Sequence, residues 1–416
     1  MLSAYTALER ILRTVAEVAP LPPERVPLSL SLGRALAEEV RAERALPPFH
    51  ASRMDGYALR ASDARRPGAR LPVALEVFAG DPPGRALPRG ACARIFTGAP
   101  VPEGADCVEM QEEVVRRGDR ALFRRAASRG RFIRATGSDV SLGSVVLERG
   151  GVVDPGSIGL AAALGRTELS VYRRPRAGIV ATGDEIVPVD RPPGPGGIAD
   201  SNSHALAAAC VDAGAVPILL PLARDDRGSL RRALAAARGL DALVTAGGIS
   251  VGERDLVRKA LAGAGGRVDF AGVAVSPGRP FAFGRWGKTL FFGLPGNPFS
   301  TLVAFELFAR PALRALQGLA GSGRPEILAR LGAAEDKPAG DTIYRRCRLR
   351  PSRGLPVAER CGTESGNVSA MAGLEALAVL PAGVARLRRG TTIRVLLVGA
   401  PIRSVRPDGG SIMIGR

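Results

Sequence analysis

Three loops in the middle of the chain combine a glycine-rich backbone with carboxylates. They read TGDEI (182–186), TAGGISVGERD (245–255) and GLPGNP (293–298). Gly247 and Gly248 allow a ligand to approach the backbone closely, and unpaired backbone N–H groups in such turns attract anions. Asp184, Glu185 and Asp255 place negative charge beside these amides. Because Mg²⁺ bridges carboxylates and phosphate oxygens in proteins, this combination predicts a phosphate-like ligand with a divalent cation.

A fourth turn, SPGRP (276–280), lies between the second and third loops and contributes a cation, Arg279. The planar guanidinium of arginine carries several donors in a fixed fork and suits an oxyanion. Each feature also has an ordinary structural explanation, since Asp255 fits the N-cap of one helix and Pro298 fits the first position of another. Their occurrence together favours a ligand site.

A regular alternation of strands and helices positions these loops. Strands are predicted over 177–182, 215–222, 241–247 and 289–294, and helices over 201–214, 226–239, 254–265 and 298–317. This order is typical of an α/β domain whose mostly parallel sheet is covered by helices on both faces. Ligands bind at the carboxyl ends of the strands in such sheets. We therefore expect the three loops, each of which follows a strand, to line one edge of one sheet.

The flanking regions are organised differently. The pattern predicts helices over 2–19, 31–44 and 156–165 and short β-strands between 70 and 150. After about residue 320, the runs YRRCRLR, ALAVLP and TTIRVLLVG predict a small β-domain. The expected fold class is therefore multidomain. It comprises an N-terminal split helical and β region, a three-layer α/β domain with a mostly parallel sheet, and a small C-terminal β-barrel-like domain.

The charge balance is strongly basic, but it does not point to nucleic acid. The 416 residues include 58 Lys and Arg against 40 Asp and Glu, which gives a net charge of +18. Nearly all of the basic residues are arginines scattered along the chain; the lysines are Lys259, Lys288 and Lys337. Aromatic residues, which a base-stacking surface needs, make up 4% of the chain. Nucleic-acid binding is therefore not expected despite the high isoelectric point.

Neither a membrane segment nor a cysteine framework is expected. No apolar run approaches the ~18 residues that a membrane-spanning helix requires. The N-terminal segment has the spacing of an amphipathic surface helix and lacks a cleavage site for a signal peptide. The five cysteines are odd in number and form no C-x-x-C pair, and the chain has only two histidines. These features predict a cytoplasmic protein without a zinc site or disulfides.

The loops belong to a longer series of motifs that resembles the molybdopterin molybdenumtransferases, the MoeA-type family that includes the E domain of gephyrin. The series reads PPFHASRMDGYALRASD (47–63), IFTGAPVPEGADCVEMQEE (95–113), GSDVSLGSVV (137–146), TGDEI, DSN (200–202), GGISVGERD, SPGRPFAFG and GLPGNP. The motifs occur in the family's order and cover nearly the whole chain. No single motif is specific, but the ordered series is.

The resemblance implies an activity and an assembly. Family members insert molybdate into the dithiolene of adenylylated molybdopterin, use Mg²⁺ and release AMP. They are elongated homodimers, and the active site lies between the α/β domain of one subunit and the second domain of the other. Apo-molybdoenzymes and the preceding biosynthetic enzyme are further expected partners. The implied domains are 1–48 with 135–175 for dimerisation, 49–134 as a small β-rich domain, 176–318 as the α/β molybdopterin-binding domain and 319–416 as a C-terminal β-domain.

The family's functional residues carry over motif by motif. Asp55, Thr97 and Asp139 are implied as catalytic, and the first two would reach the site across the subunit interface. Glu185 and Asp255 are implied both as catalytic residues and as ligands of Mg²⁺. The implied substrate-binding residues are Asp184, Gly247, Gly248, Ser250, Arg279, Pro280, Pro295, Gly296, Asn297, Ser300, Arg346 and Ser365.

The chain departs from the family pattern at two places. Family members commonly have lysine at both positions that correspond to Ser276 and Arg279, and they usually have an acidic pair where this chain has His50 and Ala51. Arginine keeps the positive charge at position 279, whereas serine removes it at position 276. The changes are compatible with altered oxyanion affinity, a preference for tungstate or a modified role.

Two alternative functions stay open at the level of the sequence. A pterin-cofactor carrier or scaffold would bind the ligand without turning it over, and the change Glu185→Ala would leave its activity intact. A molybdopterin adenylyltransferase-like enzyme would use ATP, whereas an insertase uses the pterin that is already adenylylated. The nature of the nucleotide substrate separates these two enzymes.

Overall fold

The computed structural model describes residues 1–249, 256–319, 323–361, 368–370 and 372–399. The chain divides into two compact units. The first unit comprises Met1–Arg25, Gly33–Ala37 and the residues from Ser170 onward, and the second comprises Val26–Leu32 and Glu38–Leu169. The finer division into four domains stays a prediction.

The helices of the described residues are short to medium in length. The α-helices α1 to α7 span Ala4–Ala16, Pro155–Ala163, Ser201–Asp212, Arg227–Ala236, Leu256–Gly263, Pro298–Ala304 and Arg310–Leu316. A π-helical turn at Phe305–Ala309 joins α6 to α7. Short 3₁₀ turns lie at Leu28–Leu30, Ala61–Ala64, Gln111–Glu113 and Val368–Ala370.

The strands are numbered β1 to β28 in chain order. The strands β1 to β12 span Pro23–Pro27, Val40–Arg41, Ala51–Ser52, Gly56–Leu59, Arg70–Val77, Cys92–Ile95, Cys107–Met110, Val114–Arg117, Arg120–Phe123, Ile133–Arg134, Val145–Leu147 and Glu168–Tyr172. The strands β13 to β21 span Arg176–Ala181, Ile186–Val187, Ile198–Ala199, Val216–Leu219, Ala242–Ala246, Arg267–Ala271, Val275–Ser276, Ala282–Trp286 and Thr289–Leu294. The strands β22 to β28 span Glu326–Leu331, Glu335–Asp336, Thr342–Arg350, Val357–Arg360, Ala376–Leu380, Arg386–Leu387 and Thr392–Leu397.

The first unit is built around a six-stranded sheet with the order β16-β13-β17-β21-β20-β18. The first four strands are parallel, and β20 and β18 add an antiparallel edge. Alternate residues of a strand point to opposite faces. Val244 and Phe292 lie in one core with α1, α3, α6 and α7, whereas Leu243 and Phe291 lie in another with α4 and α5. The predicted three-layer α/β arrangement is confirmed.

A second β-structure of the first unit is a closed barrel. Its strands follow the order β24-β25-β22-β28-β26, and β26 pairs with β24 to close the ring. The interior contains small and branched side chains such as Cys347, Ala376 and Val395. The two-residue strand β19 pairs with the first two residues of β24, so the barrel is hydrogen-bonded to the segment that carries SPGRP. The expected barrel-like C-terminal domain is confirmed.

The second unit contains a six-stranded sheet with the order β7-β4-β6-β5-β9-β8. Its strands are short, as the frequent Gly, Pro and Asp turns between residues 70 and 150 predicted. Tyr57, Leu59 and Phe123 lie in one core of this sheet, and Val77 and Ile95 lie in another. The helix α2 and the pairs β2–β11 and β3–β10 complete the unit.

The prediction of a helix over 31–44 is wrong. Gly33 adopts a φ of +74° in a turn, Leu36 bridges to Val171, and the N–H of Ala37 donates to the carbonyl of Ser170 at 2.9 Å. The segment then enters β2 at Val40–Arg41. Its apolar residues have helical spacing, but pairing with an extended neighbouring segment satisfies its backbone groups instead.

The single helix predicted over 298–317 is interrupted. The π-helical turn widens the backbone just before Pro311, which lies at the start of α7. Proline lacks an N–H donor, and its ring clashes with the carbonyl four residues earlier in a regular α-helix. The π-turn accommodates this proline without ending the helical path.

Four of the five cysteines are buried, and all five are free. Cys92 and Cys107 lie in β6 and β7, as expected for structural residues. Burial raises the pKa of the Cys210 thiol to about 12, so this thiol is unreactive at neutral pH. Within the part of the chain that the structure describes, no helix is long and apolar enough to span a bilayer.

Replacement of Phe292 by alanine should destabilise the first unit strongly. The side chain is fully buried, and its ring centroid lies 5.3 Å from that of Phe283. The resulting cavity should lower the free energy of unfolding by about 3–5 kcal/mol. Urea denaturation followed by circular dichroism measures this change, with Val211→Ala, an exposed position on α3, as the control. A loss below about 1 kcal/mol would contradict the assigned core.

Candidate functional site

The three loops found in the sequence meet at one edge of the parallel sheet. Ala181, Ala246 and Leu294 are register partners at the carboxyl ends of β13, β17 and β21. Backbone hydrogen bonds extend this alignment beyond the strands: the N–H of Thr182 donates to Ala246 O at 2.9 Å, and the N–H of Gly247 donates to Leu294 O at 3.1 Å. The predicted juxtaposition of the loops is therefore correct.

Gly247 and Gly248 are required by this close approach of backbones. Their φ angles are +91° and +67°, in the region that favours glycine. A Cβ at Gly247 would lie 2.6 Å from the carbonyl oxygen of Thr182, and one at Gly248 would lie 2.6 Å from its hydroxyl. The hydroxyls of Thr182 and Thr245 are buried and have no hydrogen-bond partner among the described residues. Unpaired buried donors are unusual, and they give this edge unused hydrogen-bonding capacity.

Carboxylates gather at the same edge. Asp184 and Glu185 are exposed, and the side chain of Asp184 accepts a 3.2 Å hydrogen bond from the N–H of Asp225. Desolvation, followed by the negative charges of Asp184 and Glu185, raises the pKa of Asp225. Among the residues that the structure places, no group of three or more metal-ligating side chains forms a complete metal site.

Asp225 is a residue that the sequence reasoning missed. It follows β16, the neighbour of β13, and so lies at the same edge as TGDEI. The signal was present in the sequence, because two aspartates come shortly after the strand predicted over 215–222. The rule that loops after parallel strands share one edge would have found them.

The GLPGNP loop is held by side chains on both sides. Asn297 caps α6 and accepts hydrogen bonds of 3.3 Å from the N–H and the hydroxyl of Ser300. Asn202, from the DSN motif, donates to the carbonyl of Gly296 at 2.8 Å, and Thr301 donates to the carbonyl of Pro295 at 2.5 Å. Asn297 and Ser300 thus have a structural role in the loop whether or not they touch a ligand.

The SPGRP turn connects the sheet to the barrel. Ser276 is half-buried at the end of β19, opposite Ile343 of β24. Arg279 is exposed and ion-paired with Asp341, and Pro280 next to it is half-buried. Arg346 lies further along β24 and donates to the carbonyl of Ala372 at 2.7 Å. Arg279 thus lies in the turn after β19, and Arg346 lies on β24, the strand with which β19 pairs.

A separate cluster lies in the second unit. Asp55 precedes β4, Thr97 follows β6, and one oxygen of Asp55 accepts from the N–H of Thr97 at 2.7 Å and from its hydroxyl at 2.8 Å. These two hydrogen bonds, with a smaller contribution from the charge of Arg94, hold the pKa of Asp55 below its ordinary value. Asp55 is therefore a fixed, ionised acceptor at neutral pH.

Thr97 lines a cavity of about 510 Å³ together with Arg134. Arg134 forms an ion pair with Asp139 at 3.0 Å. Thr97 therefore lines this depression itself, whereas Asp55 and Asp139 are each bonded to a residue that lines it. His50, where the family usually has an acidic residue, accepts a 3.0 Å hydrogen bond from the N–H of Thr136. The histidine thus has a local structural role.

The structure accordingly brings most of the implied site residues into two groups. The sheet edge and its neighbouring turn hold Asp184, Glu185, Gly247, Gly248, Arg279, Pro280, Pro295, Gly296, Asn297 and Ser300. The second unit holds Asp55, Thr97 and Asp139, and the barrel holds Arg346. Ser250, Asp255 and Ser365 lie outside the described residues.

Comparison with protein families gives matches along most of the chain. The "MoeA N-terminal region (domain I and II)" matches residues 2–165, the "Probable molybdopterin binding domain" matches 178–315, and the "MoeA C-terminal region (domain IV)" matches 329–398. The middle match contains the strands and loops of the sheet edge.

Individual proteins match over nearly their whole length. Molybdopterin molybdenumtransferase 2 of Mycobacterium tuberculosis is 38% identical, with 92% of this chain and 97% of that protein covered. The molybdopterin molybdenumtransferase of Bacillus subtilis is 34% identical, with 90% of each chain covered. The crystal structure of a MoeA protein from Pyrococcus horikoshii superimposes with a TM-score of 0.82 at 31% identity and covers 94% of this chain and 98% of that one.

Removal of the Thr97 hydroxyl should raise the pKa of Asp55. In Thr97→Val the backbone hydrogen bond remains, so the pKa should rise toward the ordinary value of 3.8 without reaching it. Because the folded-state pKa is depressed, the stability that Asp55 contributes is present above the unfolded pKa and is lost as the pH falls through the folded value. Carboxyl-detected NMR titration measures the shift, with Thr392→Val as the control. An unchanged Asp55 pKa would contradict the assigned contact.

Proposed function

We infer the function of this chain from one premise, that it belongs to the molybdopterin molybdenumtransferase family. The resemblance found in the sequence motifs is confirmed. The chain is a transferase of molybdenum cofactor biosynthesis, and its reaction inserts molybdenum into molybdopterin. Because the relatives are named as molybdenumtransferases, neither the carrier nor the adenylyltransferase-like alternative is retained.

We propose that the substrates are adenylylated molybdopterin and molybdate and that insertion is accompanied by Mg²⁺-dependent release of AMP. The observation that carries this proposal is the edge of the sheet, where carboxylates adjoin glycine-rich backbone. Gly247 and Gly248 let the backbone turn tightly against Thr182, whose buried hydroxyl has no partner among the described residues. Unpaired N–H groups in glycine-rich turns of this kind attract phosphates. An aspartate and a glutamate, Asp184 and Glu185, are exposed beside them.

The residues at this edge fit a magnesium ion. Like charges contribute to the raised pKa of Asp225, and a divalent cation would relieve their repulsion. Mg²⁺ commonly uses one or two protein carboxylates and completes its coordination with water and substrate phosphates, so a complete protein cage is unnecessary. Glu185 would be the Mg²⁺ ligand that lies among the described residues, and Asp255 is proposed as the second Mg²⁺ ligand. Bound there, Mg²⁺ would polarise the phosphoanhydride of the nucleotide.

The protein's own residues would then act mainly by positioning the two substrates. The loops GLPGNP and TAGG are held by backbone hydrogen bonds and by Asn202, so their amides are oriented before the ligand arrives. Fixed donors stabilise developing negative charge without reorganising during the reaction. Arg279 and Arg346 would contact the oxyanion, with Ser300, Pro280 and Ser365 in supporting roles. Such positioning of two reactants accounts for a large part of an enzyme's acceleration.

We also propose a homodimer in which the second-unit cluster completes the sheet-edge site across the subunit interface. The family resemblance supports this arrangement, in which Asp55 of the partner subunit and Thr97 of the partner subunit face the pterin nucleotide. The fixed, ionised state of Asp55 suits a role as a hydrogen-bond acceptor, whereas its lowered pKa makes it a weak proton acceptor. Apo-molybdoenzymes and the preceding enzyme as partners, and the cytoplasmic location, stay predictions from the sequence.

The change Glu185→Gln tests the proposed magnesium chemistry. The substitution removes a negative charge but nearly preserves the shape, so AMP release in a single turnover should fall on the order of a hundredfold. The loss should be smaller at high Mg²⁺ concentration, because weaker metal binding is part of the defect. Glu168→Gln, an exposed glutamate of β12, is the matched control. A wild-type rate for Glu185→Gln at low Mg²⁺ would remove Glu185 from the reaction.

Mixing two inactive variants tests the proposed sharing of the site between subunits. Asp55→Asn and Glu185→Gln should each have little activity as homodimers. The subunits are exchanged without unfolding the protein, or the two variants are co-expressed, so that about half of the dimers are mixed. Each mixed dimer holds one intact site of two, so activity should return to about a quarter of the wild-type rate. Native mass spectrometry establishes that mixed dimers have formed. Mixed dimers without recovered activity would show that both residues act within one subunit.

A further inference from the structure

Arg279 forms an ion pair with another residue of the chain, although it is also the proposed contact for the oxyanion. Its guanidinium donates through Nη2 to a carboxylate oxygen of Asp341. The arginine side chain is 56% exposed, whereas that of the aspartate is only 14% exposed. The turn SPGRP contains no other charged residue. The positive charge that this turn offers to a ligand is therefore already balanced by a carboxylate.

The peptide unit between Asp341 and Thr342 is held by two hydrogen bonds. Its carbonyl oxygen accepts a 3.1 Å hydrogen bond from Nζ of Lys337, a residue that is 6% exposed. The next residue, Thr342, donates from its N–H to the carbonyl of Ala274 at 3.0 Å and is the register partner of Val275. The carboxylate thus lies immediately before β24, the barrel strand that pairs with β19, so its backbone is anchored next to the SPGRP turn that carries Arg279.

We propose that Asp341 sets the oxyanion affinity of this enzyme by competing with the bound oxyanion for the guanidinium of Arg279. This inference rests on the proposed role of Arg279 in oxyanion binding. Asp341 does not touch the substrate in this scheme; it acts through Arg279 as its internal counter-ion. An oxyanion must either share the guanidinium fork with the carboxylate or displace it.

The direction of the effect follows from the charges. A carboxylate beside the guanidinium cancels the attraction that a lone cation would exert on a dianion, and it also repels the dianion directly. Because the Asp341 side chain is largely buried, this interaction is screened less by salt than a surface pair would be. The binding site therefore works at a higher oxyanion concentration than a free arginine would require.

Substitution of Asp341 by asparagine tests the proposal through direct binding of molybdate. Asparagine keeps the size and can still accept from Arg279, but it removes the charge. The molybdate Kd, measured by isothermal titration calorimetry on the full chain, should fall about tenfold, the order expected when one unit charge is removed beside a cation. The molybdate concentration for half-maximal AMP release should fall with it, whereas the maximal rate should change little.

Three further variants separate this role from a structural one. Asp341→Glu keeps the charge and should keep the Kd within about twofold of wild type. Asp336→Asn removes the same charge from an exposed position that pairs with Arg386, so it controls for net charge. Arg279→Gln should weaken molybdate binding. A purely structural role of Asp341 predicts the opposite sign, namely weaker binding in Asp341→Asn.

The outcomes separate competition by Asp341 from oxyanion binding by Arg279. An unchanged or higher Kd in Asp341→Asn, together with weaker binding in Arg279→Gln, would overturn the competition while leaving Arg279 as the oxyanion contact. Unchanged binding in Arg279→Gln would remove Arg279 from the site, and the competition would fall with it. A fall in Kd that Asp336→Asn reproduces equally would assign the effect to net charge and would also overturn the proposal.

Discussion

The parallel alignment of β13, β17 and β21 is the constraint on which the rest of the site depends. Their carboxyl ends lie in register, and two backbone hydrogen bonds continue the alignment into the loops. This brings the loops so close that a side chain at Gly247 or Gly248 would collide with Thr182. The alignment of the strands therefore requires the glycines and brings the carboxylates of the loops to one sheet edge. The same edge is extended through β19 to the barrel, which supplies Asp341 and Arg346.

Two arginines at the proposed sites are paired with carboxylates, so the net charge of +18 does not describe the charge that a ligand would meet there. Arg279 is paired with Asp341, and Arg134 is paired with Asp139. By contrast, Asp225 lies beside acidic neighbours and has a raised pKa. A divalent cation would relieve the repulsion among these carboxylates. The oxyanion would meet the positive charge of Arg279, which Asp341 already partly neutralises. The affinity for each proposed ligand would depend on these local charges and not on the sum over the chain.

The sequence predicted the sheet edge well because parallel sheets have a strong signal. Buried strands alternate with amphipathic helices, so the positions of TGDEI and GLPGNP follow from topology. The segment 31–44 was predicted wrongly because its apolar spacing fits a helix, whereas its actual partner, the strand around Val171, is distant in the sequence. The ion pair between Arg279 and Asp341 joins residues 62 positions apart. No local pattern shows such a pairing, and it appears only when β19 docks on β24.

The central claim is that this chain couples oxyanion insertion to cleavage of a pterin nucleotide at the sheet edge. Release of AMP by the wild-type protein in a single turnover tests it most directly. Adenylylated molybdopterin and Mg²⁺ are mixed with excess protein, and molybdate is either added or withheld. The account predicts that AMP appears rapidly when molybdate is present and remains near the background rate when molybdate is absent. Tight binding of the nucleotide without AMP release at any molybdate concentration would contradict it.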